Sequence, residues 1–108
     1  MVTVARGEVW LVNLDPTVGS EIRKTRPAVI VSPPEIHNFL RTAIIAPMTT
    51  GSHPAPYRVP VSFQGKDGLV LLDQLRTIDR TRLVRRLGAV EPEVLEETLL
   101  ALREVFED

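Results

Sequence analysis

The chain reads as a mainly β protein: a small, strongly curved, barrel-like antiparallel sheet followed by one C-terminal α-helix packed against it. Three observations lead there. Short apolar runs alternate with Gly/Pro punctuation between residues 8 and 90. None of these runs is long enough for a typical helix, and all are rich in β-branched or bulky residues. After Pro92 the pattern changes, and apolar residues recur at three- and four-residue spacing as far as Phe106. A chain of 108 residues buries about two thirds of its unfolded surface, enough for one core and too little for two. A single domain over 1–108 is therefore expected.

Taken in order, Glu8 to Leu14 (EVWLVNL) and Pro27 to Val31 (PAVIV) are the first two strands. Pro33-Pro34 begins a turn, and Thr42 to Met48 (TAIIAPM) follows as a strand. Gly51 to Pro56 separates it from Tyr57 to Phe63 (YRVPVSF), and Gly65 to Gly68 separates that from Leu69 to Asp73 (LVLLD). Leu83 to Val90 (LVRRLGAV) is the last strand. The interior Pro47 and Pro60 have no N–H to donate, which places them on edges or at bulges and predicts a strongly bent sheet. Pro92 suits a first helical position, and Glu91, Glu93 and Glu96 favour the positive end of the helix dipole. Val94, Leu95, Thr98, Leu99, Ala101, Leu102, Val105 and Phe106 form a stripe facing the sheet, while the glutamates face outward with Leu100 on their side. Trp10 and Phe106 are assigned to the core.

Composition removes several kinds of chemistry. Apolar residues at 44% and charged residues at 25% are ordinary globular values and argue against disorder. With no cysteine, disulfides and thiolate nucleophiles are excluded, in keeping with a reducing cytoplasm. No apolar stretch approaches bilayer-spanning length, and Met1 to Gly7 lacks the layout of a signal peptide, so a soluble, intracellular protein without membrane contact is expected. His37 and His53, the two histidines, lack the ligand spacing of a zinc site. No phosphate-cradling glycine motif occurs, so neither metal nor nucleotide cofactor is indicated.

The net charge of −1 hides an asymmetry. Residues 1–90 hold 12 Lys and Arg against 7 Asp and Glu, a balance of +5, whereas residues 91–108 hold Arg103 against seven acids, a balance of −6. A basic body attracts polyanions at low salt even in a nearly neutral molecule, because screening confines each field to about 10 Å. Scattered solvated arginines, including Arg80, Arg82, Arg85 and Arg86, are the plainer reading of charge alone.

The segment from Asp15 to Pro27 (DPTVGSEIRKTRP) joins the first two strands and packs turn-forming, polar and cationic groups between apolar runs. A connection of this length without helical pattern is a functional or a disordered loop, and function is favoured here. If Arg26–Ser32 and Thr42–Thr50 pair antiparallel, setting Ser32 opposite Thr42 or Ala43 puts Arg26 opposite Met48 or Thr49. Side chains directly opposite lie about 5 Å apart at Cβ, so a guanidinium and a hydroxyl meet at the mouth of the loop. Ser20, Glu21 and Arg23 can fold over them. Such a set suits a phosphodiester: the Arg fork matches two phosphate oxygens and stabilises the extra charge of a pentavalent transition state. In RNA the ribose 2′-OH supplies the nucleophile, so neither a cysteine nor a metal-activated water is needed. Glu21 is the candidate base, or it orients Arg26. An Arg paired with a Glu at a surface loop is the more common arrangement in proteins generally.

A second polar cluster, Asp73-Gln74-Leu75-Arg76-Thr77, closes the run Leu69 to Leu72. Asp73 and Gln74 can read donor and acceptor edges of unpaired bases, or serve structure; Thr77 or Asp79 is assigned to capping the turn at Arg80 to Arg82.

These segments together resemble the MazF/PemK toxin family. The motifs are Arg6-Gly7-Glu8-Val9-Trp10, Leu14-Asp15-Pro16 with Gly19-Ser20-Glu21, Thr25-Arg26-Pro27-Ala28-Val29, Ala46-Pro47-Met48-Thr49 and Asp73-Gln74-Leu75-Arg76-Thr77, in the family's order and spacing from about Arg6 to Phe106. The resemblance implies an SH3-like barrel of the MazF/CcdB-like toxin fold. It also implies a homodimeric, metal-independent endoribonuclease of a toxin–antitoxin pair, which cuts single-stranded mRNA at short sequences and leaves a cyclic phosphate and a 5′-OH. Arg26 and Thr49 fall on the family's catalytic pair, with Glu21 as the proposed proton acceptor. Gly19, Ser20, Arg23, Thr50, Asp73 and Gln74 fall in the RNA-binding set. The implied partner is a MazE-like antitoxin that lays an acidic, partly disordered segment across the same groove. Two departures stand out: some relatives carry a histidine where Ser20 stands and an arginine where Leu71 stands. Arg26 then bears more of the mechanism, as electrostatic stabiliser and proton donor. Rival readings are a non-enzymatic toxin of this fold acting on DNA gyrase and a nucleic-acid-binding barrel without catalysis.

Overall fold

In the computed structural model, which describes residues 3–16, 18–21 and 24–108, seven strands form one antiparallel sheet. They are β1 (Glu8–Asn13), β2 (Thr25–Ile30), β3 (Thr42–Thr49), β4 (Arg58–Phe63), β5 (Lys66–Leu71), β6 (Arg76–Asp79) and β7 (Leu83–Ala89). A short helix α1 (Pro34–Phe39) lies between β2 and β3, and α2 (Pro92–Val105) ends the chain. The strand order is β4-β5-β3-β2-β1-β7, with β6 paired to β3 off this path.

β3 is the strand about which the sheet bends. One of its edges pairs with β2 (Ala28 opposite Pro47, Ile30 opposite Ile45). Its other edge pairs with β6 along Thr42 to Ile45 and then with β5 at Met48 and Thr49. Pro47 sits in the gap between these two partners. Val31 N–H donates to the Ile44 carbonyl on the β2 side, and strand alternation turns the Pro47 nitrogen the opposite way, where no ladder bond is lost. Pro47 is thus tolerated inside an inner strand rather than at an edge or a bulge. Pro60 occupies the edge strand β4, as its chemistry requires.

The sheet does not close, since β4 and β7 lie at opposite ends of the order. Side chains bridge the gap instead. Gln64 Nε2 donates to the Leu87 carbonyl at 3.2 Å, and the Phe63 ring covers Gly88, where an added Cβ would stand 3.2 Å from it. Register shifts between β1 and β7 add local bending.

The two faces of the sheet carry two apolar clusters. Val9, Val29, Ala46, Met48 and Val70 face α2 and pack with Val94, Leu95, Ala101 and Leu102. Trp10, Val12, Leu14, Ala28, Ile30 and Ile45 form the other cluster. Val9 and Trp10, like Ala28 and Val29, fall on opposite faces, as the two-residue strand period dictates. Phe106 departs from its expected place: it lies at the frayed end of α2 and is 74% exposed. Leu100 is exposed, in line with its position on the polar side.

Two elements went unseen in the sequence. α1 replaces the turn expected at Pro33-Pro34; six residues give too few turns for a periodic signal. β6 is four residues of RTID with little apolar character, held by its ladder to β3. In addition β5 begins at Lys66 rather than Leu69, because a two-residue turn at Gln64-Gly65 extends the β4–β5 hairpin. The expected strand end at Asp73 is instead a 3-10 turn, Leu72–Gln74.

Candidate active site

Arg26 and Thr49 come together by strand register. Ala28 opposite Pro47 continues, two residues toward the loop, to Arg26 opposite Thr49, one of the two alternatives expected from the sequence. Both residues line a cavity of about 270 Å³ with Met48, Val61, Phe63, Lys66 and Gly68. They also line an adjoining concavity of about 380 Å³ with Ser20, Thr50, Ser52 and Gln74. Thr49 Oγ1 accepts the Gly51 N–H at 3.2 Å, closing a local turn and leaving its own proton to donate. Gly68 holds β5 close to this point: a Cβ there would lie 2.5 Å from the Thr49 carbonyl oxygen.

The loop between β1 and β2 is fastened at its root. Lys24 N–H donates to Asp15 Oδ1 at 2.9 Å, and Leu14 N–H donates to the Lys24 carbonyl at 3.0 Å. Arg82 Nη1 donates to the Asn13 and Asp15 carbonyls at 3.1 and 2.6 Å, while Arg76 Nη1 donates to the Leu14 carbonyl at 3.1 Å. Two arginines far along the chain therefore set where the loop leaves the sheet. At its tip Glu21 Oε1 accepts the Val18 N–H at 2.7 Å, and Gly19 takes a positive φ of 62° that glycine adopts without strain. Ser20 faces the Arg26 concavity. Glu21 instead lines a smaller neighbouring concavity of about 170 Å³ with Asp73, Gln74 and Arg76. Arg23 lies outside the described residues.

Gln74 borders both the Glu21 and the Arg26 concavities. Asp73, beside it, is held by Arg58, whose Nε and Nη2 donate to its two carboxylate oxygens at 3.0 and 2.9 Å. This fork holds the Asp73 carboxyl below the usual carboxylate range. Arg58 Nη1 also donates to the His53 carbonyl at 3.1 Å, so one guanidinium ties the loop after β3 to the 3-10 turn that carries Gln74. Asp79 Oδ2 accepts the Thr81 N–H at 2.9 Å and caps the turn Arg80–Arg82.

Sequence reasoning missed Arg58 and the close approach at Gly68, and it read Arg82 as a solvated arginine where the structure ties it to the loop root. An isolated glycine in a strand pattern was a signal for close backbone approach at Gly68. Nothing local marks Arg58 or Arg82, whose partners are distant in sequence. The basic cluster is largely engaged in structure: Arg80 Nη2 donates to the His37 carbonyl, Arg82 holds the loop root, and Arg86 pairs with Glu8 at 2.6 Å. His37 is buried in α1, its Nδ1–H donating to the Val4 carbonyl at 3.2 Å and its Nε2 accepting from Ser32 Oγ at 2.5 Å. Among the described residues no group of three or more His, Asp or Glu gathers as metal ligands, and no helix is long and apolar enough to cross a membrane.

The chain resembles known proteins over most of its length. The family described as the PemK-like, MazF-like toxin of type II toxin-antitoxin systems matches residues 5–106. Endoribonuclease PemK of Escherichia coli is 39% identical over 100 residues, covering 87% of this chain and 75% of that protein. The crystal structure of MazF from Deinococcus radiodurans superposes with a TM-score of 0.85 at 26% identity, covering 97% of each chain. A MazE–MazF complex from the same organism contains a chain with TM-score 0.78 at 23% identity, covering 97% of this chain and 96% of that one, which extends the likeness in fold. With the match running almost from end to end, the chain belongs to the PemK-like, MazF-like toxin family of type II toxin–antitoxin systems.

Proposed function

We propose that this chain is the toxin of a type II toxin–antitoxin pair, a single-domain endoribonuclease that cleaves single-stranded mRNA without a metal and so stops translation in the cytoplasm. The observation that carries the reading is the shared cavity of Arg26 and Thr49, open to solvent at the ends of β2 and β3. The ribose 2′-oxygen attacks the adjacent phosphorus and the P–O5′ bond breaks, leaving a 2′,3′-cyclic phosphate and a 5′-OH. The Arg26 guanidinium offers a fork of donors to the non-bridging oxygens, where charge accumulates in the transition state, and protonates the leaving 5′-oxygen. The Thr49 hydroxyl donates to the same phosphate. Glu21 takes the 2′-OH proton once the loop bearing it closes on the chain. Gly19, Ser20, Arg23, Thr50 and Gln74 bind the RNA, and Asp73 supports Gln74 through its pairing with Arg58.

A second copy of the chain completes the binding groove, and the partner antitoxin covers it with an acidic segment. Its carboxylates are drawn by the positive balance of residues 1–90. Labelled RNA incubated with purified protein in a metal chelator tests the reading. Cuts with 5′-OH ends, abolished by Arg26→Ala, are expected. Intact RNA with inhibited DNA gyrase would replace it by a gyrase poison, and RNA binding without cuts by a non-catalytic barrel. An unchanged cleavage rate for Glu21→Gln would remove Glu21 from the mechanism.

A further inference from the structure

Arg26, Thr49 and Thr50 border two concavities of different lining. Toward the 3-10 turn the wall is polar, with Ser20, Ser52 and Gln74. Toward the β4–β5 hairpin it adds the apolar Met48, Val61 and Phe63 to the shared polar residues, with Gln64 and the exposed Lys66 beside them. A polynucleotide held by a phosphate on Arg26 continues on both sides of that phosphate, and the two concavities that share Arg26 are open to it. We propose that the hairpin-side cavity is a nucleoside subsite. It takes the base that adjoins the scissile phosphate on that side against Met48, Val61 and Phe63, while Lys66 meets a flanking phosphate.

The dimensions and chemistry agree. About 270 Å³ falls below the roughly 300–1,000 Å³ of sites for drug-sized ligands, leaving room for a single base. Every base has an apolar π-face, so an apolar wall with an aromatic ring holds any of them. The amide Nε2 of Gln64, which also borders the cavity, is engaged with the Leu87 carbonyl. Phe63 is braced against Gly88, so little ordering remains to be done when a base arrives. Selectivity then falls on the polar side, where hydrogen bonds read base edges. The cleavage sequence is stringent on one side of the cut and tolerant on the other.

The subsite rests on the endoribonuclease reading, and a double-mutant cycle between protein and RNA separates the two. Once the cut is mapped, oligoribonucleotides carrying one abasic nucleotide immediately 5′ or 3′ of it are compared with intact RNA. Wild type, Phe63→Leu and Lys66→Met are measured on each. Phe63→Leu raises KM for intact RNA roughly tenfold with kcat nearly unchanged, and the difference from wild type vanishes when the abasic nucleotide is on the hairpin side. Lys66→Met, at an exposed position outside the core, raises KM and lowers the salt slope by about 0.7, the share of one single-strand phosphate. Cutting by wild type with Phe63→Leu effects equal on all oligonucleotides, or an unchanged salt slope in Lys66→Met, overturns the subsite alone. No cutting by wild type overturns both readings.

Discussion

Gly68→Ala gives the sharpest test of how the fold holds its site. β5 crosses the end of β3 so closely that a Cβ on Gly68 would stand 2.5 Å from the Thr49 carbonyl oxygen and 3.2 Å from its carbonyl carbon. A backbone oxygen cannot rotate away, so the strands must part, by about 0.9 Å to restore ordinary contact. Overpacking of this kind costs about 1–3 kcal/mol, or a fall in Tm of roughly 5–20 °C in a domain of this size. The displaced residue is Thr49 itself, and a misplacement near 1 Å costs about 100-fold in a positioned reaction. A large fall in kcat per folded molecule is therefore expected, read by RNA cleavage well below the variant's Tm, with the folded fraction measured by circular dichroism. Wild-type Tm and kcat together would refute the close approach. A lowered Tm with full kcat per folded molecule would refute the role given to Thr49.

Three further outcomes follow from the same geometry. Arg82→Met removes donors to the Asn13 and Asp15 carbonyls; a loss of about 1–2 kcal/mol and faster amide exchange at Lys24 are expected, and unchanged exchange would detach Arg82 from the loop root. Asp73 is held below the usual carboxylate range by Arg58, so this pair's stability is fully present above the unfolded carboxylate pKa and is lost as pH falls through the folded value. Solvent screening keeps this contribution small; Arg58→Met should show a shallower loss of urea midpoint between pH 7 and pH 3, and an identical slope would count against the pair. Burial, with Arg80 and Arg6 adding to it, lowers the His37 pKa. The folded state therefore resists protonation, and stability is full above about pH 6.5 and declines below it. His37→Gln should flatten that decline, and an unaltered profile would assign it to another group.

The fold was legible where long-range packing imposes a period on the chain. β1, β2 and β3 are buried on both faces and so read as short, nearly continuous apolar runs, while β4 alternates buried Val59 and Val61 with exposed Pro60 and Ser62. α2 shows its stripe and its Pro92 start for the same reason. β6 and α1 bury too little to leave a period, and the ladder to β3 and the buried His37 are what hold them. Phe106 fits the stripe by spacing yet falls beyond the last helical turn, where nothing packs over it. Within the site, Arg26 and Thr49 could be paired in advance because antiparallel register is arithmetic. Glu21 could not be placed, since the direction of a long loop depends on what fastens its ends.

From its residues alone the chain announces a bent antiparallel sheet with a terminal helix, and a guanidinium opposite a hydroxyl at one sheet end, because backbone periodicity and strand register are local rules. The placing of Glu21 beside Asp73 and Gln74, the tying of Asp73 to Arg58 and the different linings of the two concavities that share Arg26 arise only in three dimensions. They join residues such as Arg82 and Asp15, which are 67 positions apart. No local preference encodes a contact whose two halves meet only after the sheet has folded.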